Sequence, residues 1–286
     1  MLTRIALTLI CFFGLTACGG AEADGRKRVV AAFYPLAFAA ERIGTARVDV
    51  RNLTPPGVEP HDIELSGRDV EAIGDADLVL YLGERFQPAL EEAIETTSAN
   101  GVDLLDGLPL RAAGGSGEDE PGGLDPHVWL DPIRYSGIAE KIGSELGRPA
   151  QHLVAELSEL DAEFRAGLRD CERREVVTSH AAFGYLTQRY GLEQVAISGL
   201  SPEVEPTPRE LERVVRAVEA RGATTIFFET LISPRLARTV AREVGAETAV
   251  LNPLEGLSAR ELDAGEDYFS VMRANLAALR RALACR

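Results

Sequence analysis

The chain has 286 residues, 45% of them hydrophobic and 26% charged, which is enough apolar material to bury a core and enough length for two domains. A formal charge of −15 excludes a nucleic-acid binder that relies on clustered Lys and Arg, and it is compatible with a protein that handles cations.

The first stretch reads as an address. Met1 to Arg4 is basic and Ile5 to Gly14 is apolar, but the run falls short of the roughly 20 residues needed to span a bilayer. Leu15-Thr16-Ala17-Cys18 resembles a bacterial lipobox, so residues 1–17 are expected to be a signal peptide, Cys18 the lipid-modified residue, and 18–28 a tether. The alternative is an ordinary buried Cys at a helix end. On this reading the protein crosses the cytoplasmic membrane and stays lipid-anchored at the cell surface or in the periplasm.

Strands and helices then alternate. Arg28 to Phe33 is a β-rich apolar run, and Pro35 to Gly44 is helical and ends on glycine. Val48 to Leu53 alternates as a strand until Thr54-Pro55-Pro56-Gly57 breaks it. Ser66 to Ile73 reads as a helix, with Ser66 and Asp69 resembling a capping box. Asp77 to Leu82 is a buried strand and Gln87 to Thr97 a helix. This rhythm predicts βαβ units, hence an α/β lobe whose parallel sheet is flanked by helices. Gly101 to Gly123 is expected to be weakly ordered: Val102 to Leu105 adds one more strand, and the glycine-rich, acidic 112–123 is read as a mobile surface loop.

A helix starts near Pro132, and after Gly147-Arg148-Pro149 a long one is predicted to run to about Arg173. Leu153, Leu157, Leu160, Phe164 and Leu168 form its apolar stripe, and its length suits it to bridge the two halves. His152 near its start reads as a solvated helix residue. The second half repeats the pattern: strand Glu175 to His180, helix Ala181 to Tyr190, strand Gln194 to Ser198, and helix Arg209 to Ala220 behind a Thr207 cap and Pro208. Strand Thr224 to Glu229, helix Pro234 to Val244, strand Glu247 to Leu251 and helix Tyr268 to Leu283 complete it. The division is therefore 29–148 for an N-terminal lobe, 149–173 for the linking helix and 174–286 for a C-terminal lobe. With Cys11 removed and Cys18 lipidated, Cys171 and Cys285 remain as an isolated pair, expected to form a disulfide outside the cytoplasm; two buried free thiols are the alternative.

The chemistry lies in the histidines, of which there are four. His61, His127 and His180 each sit at the end of a strand-like stretch or in the loop after it, where open α/β sheets gather ligands. Neutral imidazole is the commonest protein ligand for a transition metal, and three converging on one point would bind Zn²⁺ or a neighbour in the series.

Four blocks carry a resemblance. Pro55-Pro56-Gly57-Val58-Glu59-Pro60-His61-Asp62, Asp125-Pro126-His127-Val128-Trp129-Leu130-Asp131-Pro132, Thr178-Ser179-His180-Ala181-Ala182-Phe183-Gly184-Tyr185 and Leu251-Asn252-Pro253-Leu254 resemble, in order, the metal-binding blocks of zinc/manganese ABC-transporter solute-binding proteins. The resemblance implies two lobes bridged by a long helix, with the metal in the cleft, held by His61 and His127 from one lobe and His180 from the other. It also implies a monomer that is no enzyme, working with a permease and an ATPase.

Two departures matter. Where that family often has Asp, this chain has Asn252, so the fourth ligand is expected to be Asn252 or water, with Glu59 behind them. The loop before His127 has no histidine, leaving only Glu118, Asp119 and Glu120 for metal collection. Three imidazoles with a neutral donor suit Zn²⁺ better than Mn²⁺, which favours carboxylates. Binding is expected to weaken as pH falls through the histidine range, about 6.5 unperturbed. The competing readings are a zinc hydrolase with Glu59 or Glu255 as base and an adhesin-like surface lipoprotein. Trp129, Phe183 and Tyr185 are expected to form a dry shell, Asp62, Asp125 and Asp131 to cap helices or steady ligand rings, and Glu229 to support the site or pair at the surface.

Overall fold

The computed structural model describes residues 25–61, 63–112, 123–202 and 206–286. The expected signal peptide, Cys18, Asp62 and the acidic residues 118–120 lie outside these. No helix among the described residues is long and apolar enough to cross a membrane.

Two four-stranded parallel sheets form the frame. In the first, β1 (Lys27–Ala31), β2 (Val48–Asn52), β3 (Leu78–Tyr81) and β4 (Gly101–Asp103) lie in the order β2-β1-β3-β4. In the second, β5 (Glu175–Thr178), β6 (Glu193–Ala196), β7 (Thr225–Phe228) and β8 (Glu247–Val250) repeat that order as β6-β5-β7-β8. Val29, Val30 and Ala31 of β1 are all buried, as are Leu78, Val79 and Leu80 of β3. Successive strand side chains point to opposite faces, so both faces of the first sheet are covered. The fold is thus α/β with two lobes, as the rhythm of the sequence predicts.

The helices of the first half are α1 (Tyr34–Gly44), α2 (Gly67–Asp75), α3 (Pro88–Thr97) and α4 (Pro132–Leu146). Helix α1 lies on β1 and β2 and packs against α4, while α2 packs against α3. The long helix α5 (Gln151–Leu168) follows, buried along Leu153, Leu157, Leu160, Phe164 and Leu168. It stops short of Arg173 because the chain there pairs with the C-terminus: Glu172 N and Arg173 N both donate to Leu283 O, and Arg286 N donates to Asp170 O. Cys171 and Cys285 are joined by the expected disulfide across this contact. His152 is exposed near the start of α5.

The expected helix from Ala181 to Tyr190 is divided into a 3-10 turn at Ala181–Phe183 and α6 (Gly184–Arg189). Helices α7 (Pro208–Arg221), α8 (Arg235–Val244), a short α9 (Ala259–Asp263) that periodicity does not announce, and α10 (Tyr268–Ala282) complete the chain. The capping box read at Ser66 is present, the cap read at Thr207 is a box completed by Glu210, and Ser258 and Asp267 add two more. Gly101 to Ala112 is better ordered than expected. Leu104 and Leu105 are buried, Lys141 Nζ donates to Asp103 O and Asp106 O, and Ala112 bridges Leu124.

The period of two also divides the interior. Val177 and Ile226 point into a small cluster with Val214 and Val218 of α7 and Val240 of α8. Their neighbours Val176 and Phe227 point the other way, into a main core that runs through the first half. That core also takes Leu251, Leu254 and Leu257 from the segment after β8, and Tyr268, Met272 and Leu279 from α10. The segment after β8 is thereby brought back to the strand ends where the histidines lie.

Candidate metal centre

Each histidine is set by its own anchor. The chain leaves β2 through Thr54-Pro55-Pro56-Gly57, where Gly57 takes φ +81° and its N–H bonds Leu257 O at 3.0 Å. Thr54 Oγ1 donates to Ala32 O at 2.8 Å, and Gln87 Nε2 donates to Pro60 O at 3.1 Å, tying the loop to the end of β1. His61 follows, its ring edge-on to Phe86 with centroids 4.6 Å apart and its N–H bonded to Glu59 Oε1 at 3.2 Å.

His127 is held by Asp125, whose Oδ1 accepts from its backbone N–H at 3.0 Å and meets ring Nδ1 at 2.8 Å. Asp131 instead caps α4, accepting from Ile133 N and Arg134 N. His180 lies just past β5, and its carbonyl accepts from Thr178 Oγ1 and Gln194 Nε2. Its Nδ1 meets Glu229 Oε1 at 2.7 Å. Glu229 follows the neighbouring strand β7, so this pair stands where the strand order reverses, the place open α/β sheets use for ligands. Glu229 is 3% exposed, which settles its alternative of a surface ion pair in favour of site support.

The structure brings the three histidines together and adds a carboxylate. One donor atom each from His61, His127, His180 and Glu255 lies within 4.8 Å of the others. Glu255 Oε1 is 3.2 Å from the Nε2 of both His127 and His180, and 3.4 Å from that of His61. A tetrahedral ion with bonds of about 2.0–2.1 Å sets its donors roughly 3.3 Å apart, so the carboxylate–imidazole spacings already match it. With Nδ1 engaged by Asp125 or Glu229, Nε2 of His127 and His180 is the nitrogen that faces the cluster. Glu255 Oε2 is buried with no hydrogen-bond partner, and His127 Nε2 has only the Glu255 carboxylate beside it, a donor set whose chemistry fits a cation.

Asn252 does not take the expected fourth place. Its Oδ1 accepts from Leu254 N at 2.7 Å, turning the chain so that Glu255, three residues on, faces the imidazoles. Glu255 stands one residue past the matched block Leu251–Leu254; the sequence offers it only as a possible base, because the match placed the acidic ligand at the Asn position. Glu59 stays beside the cluster, with Oε2 buried and unpartnered.

Electrostatics without an ion follow from this geometry. Burial pushes Glu59 up to about 9, and the Glu255 charge adds to the shift, so Glu59 is neutral. Burial would also raise Glu255, but the His180 charge and hydrogen bonds from His127, His180 and His61 outweigh it and hold Glu255 well below the usual carboxylate range. Burial lowers His61, with its bond to Glu255 opposing. For His180 burial is outweighed by Glu229 and Glu255, which hold it well above the ordinary imidazole value. His127 is also raised, burial being outweighed by Asp125 and Glu255.

Comparison with known proteins accords with this geometry. The model of the family described as zinc-uptake complex component A, periplasmic (ZnuA), matches residues 29–282. The zinc-binding protein AdcA of Streptococcus pyogenes is 34% identical over 289 residues, covering 90% of this chain but only 56% of the relative, so the chain spans little more than half of that protein's length. The high-affinity zinc uptake system protein ZnuA of Bacillus subtilis is 34% identical over 302 residues, covering 96% of this chain and 95% of that one. The crystal structure of the Zn(II)-bound ZnuA-like domain of Streptococcus pneumoniae AdcA matches with a TM-score of 0.75 at 34% identity, covering 91% of this chain and 99% of that one.

Proposed function

This chain belongs to the ZnuA family of zinc-uptake components, and from that premise we propose that it captures one Zn²⁺ with His61, His127, His180 and Glu255 and delivers it to the permease and ATPase of an ABC importer. The observation that carries the reading is the convergence of four buried or nearly buried donors whose spacing suits a small tetrahedral cation. Three imidazoles and one carboxylate favour Zn²⁺ over Mn²⁺, which prefers more oxygen donors. That its relatives include a zinc-binding protein, a high-affinity zinc uptake protein and a Zn(II)-bound domain supports the same choice.

A role as cargo fits the ligand count. Catalytic zinc keeps one position for water, whereas here a fourth side chain stands in that position, which supports binding and release over hydrolysis. The basic start, the apolar run and Leu15-Thr16-Ala17-Cys18 support export and lipidation at Cys18, making this a lipid-anchored monomer outside the cytoplasmic membrane. The lobe boundaries at 148 and 173 remain part of the same reading.

The test is metal analysis and zinc affinity of protein purified without chelator. One zinc per chain is expected, and His61→Ala, His127→Ala, His180→Ala and Glu255→Gln should each weaken binding by about 10-fold or more. Full zinc affinity in two or more of these variants contradicts the site.

A further inference from the structure

Asn275 on α10 and Trp129 after His127 are buried polar side chains, 2% and 0% exposed, at positions where a hydrocarbon would fill the space without desolvating N–H groups. Both bond to the backbone just ahead of Glu255. Asn275 Oδ1 accepts from Asn252 N at 2.9 Å, and its Nδ2 donates to Asn252 O at 2.7 Å. Trp129 Nε1 donates to Pro253 O at 2.8 Å. With Leu254 N held by Asn252 Oδ1, residues 252, 253 and 254 each have a main-chain polar group fixed by a buried side chain.

Leu254 itself takes φ +57°, a left-handed conformation that a leucine adopts only where its surroundings impose it. Its side chain is wholly buried, so the turn is clamped from both the polar and the apolar side. The next residue is Glu255. Helix α10 also reaches the other ligand loop, because Tyr268 Oη donates to Trp129 O at 2.7 Å. One helix therefore holds the segments of both His127 and Glu255.

We propose that Asn275 and Trp129 are positioning residues, which fix the turn at 252–254 so that the Glu255 carboxylate meets the three imidazoles. This rests on the reading of Glu255 as a metal ligand. Neither residue touches the ion. Asn275 acts through the backbone of the turn, whereas Trp129 also packs on the ring of His127 with centroids 5.2 Å apart, a packing that Trp129→Phe largely keeps while removing the bond to Pro253 O.

The test uses the mature chain with Zn²⁺, measured by chelator competition, and Co²⁺, read from its visible absorption. Asn275→Leu and Trp129→Phe should each weaken Zn²⁺ binding by about 10- to 100-fold and move the Co²⁺ spectrum toward that of Glu255→Gln. In a Glu255→Gln background neither should weaken binding further, an interaction that a general loss of stability would not produce. Wild-type affinity and spectrum in the single variants, or an undiminished further loss in that background, overturns the proposal. Should Asn275→Leu fail to fold, Asn275→Asp keeps the volume and one acceptor and is read against the same outcomes. If Glu255→Gln binds as tightly as the wild type, the ligand reading itself falls and the proposal with it; if Glu255→Gln is weak while Asn275→Leu and Trp129→Phe are not, only the positioning role falls.

Discussion

His127 and His180 are each held at Nδ1 by a buried carboxylate, Asp125 and Glu229, and both turn Nε2 toward Glu255. Both rings are shifted up by their carboxylate partners, His180 well above the ordinary imidazole value, so zinc, which needs neutral rings, competes with protons there. Zinc binding at pH 7 is therefore expected to release at least one proton, and apparent affinity should rise with pH until these rings are neutral. Calorimetry in two buffers of different ionisation enthalpy measures this, and equal heats in both buffers would contradict it. At this scale the histidines were legible because imidazole is scarce in the chain and each lies near a strand end. The roles of the carboxylates were only half legible: Glu229 stood out at a strand end with a surface ion pair as its alternative, and Glu255 only as a possible base, since nothing local says which of 45 acidic residues meets the imidazoles. Only the strand order brings Glu229 to His180, and only the turn set by Asn252 brings Glu255 to the cluster.

The elements are joined by polar contacts as well as by the core. Asp161 on α5 accepts from Arg189 of α6 at 2.6 Å, Arg165 at 2.9 Å and Tyr190 at 3.0 Å, while Arg189 Nε also lies 3.2 Å from Asp131, the cap of α4. Burial opposes ionisation of Asp161, but these donors outweigh it and its carboxyl is shifted down. A depressed carboxyl stabilises the fold above its unfolded value, about 3.9, and the contribution is lost as pH falls through the folded value. Asp161→Asn should therefore cost about 1.5–3 kcal/mol at pH 7, with the gap to the wild type closing in acid. A gap that stays constant from pH 7 to pH 3 in denaturant titrations would contradict this. Helix starts were legible from Ser66, Thr207 and Pro208, because a cap is a local device. The end of α5 was not, because it is decided by the return of residues 283–286 more than a hundred positions later.

Across the whole molecule, two sheets of the same strand order meet over a common core that includes Val176, Phe227, Leu254 and Tyr268. The alternation of strands and helices made this α/β architecture readable, whereas the path of the segment after β8 back to the first half depends on packing that no local pattern encodes. Of the four donors His61 alone is not fully buried, its side chain 9% exposed, and it sits on irregular backbone between β2 and α2. On the proposed reading the ion enters and leaves at that edge, beside a core that the two lobes share. All of this depends on one ion shared by His61, His127, His180 and Glu255. Zinc K-edge absorption on protein loaded with one equivalent of Zn²⁺ tests it most directly: the account predicts three imidazoles and one oxygen donor at about 2.0–2.1 Å, and fewer than three imidazoles in the first coordination sphere would contradict it.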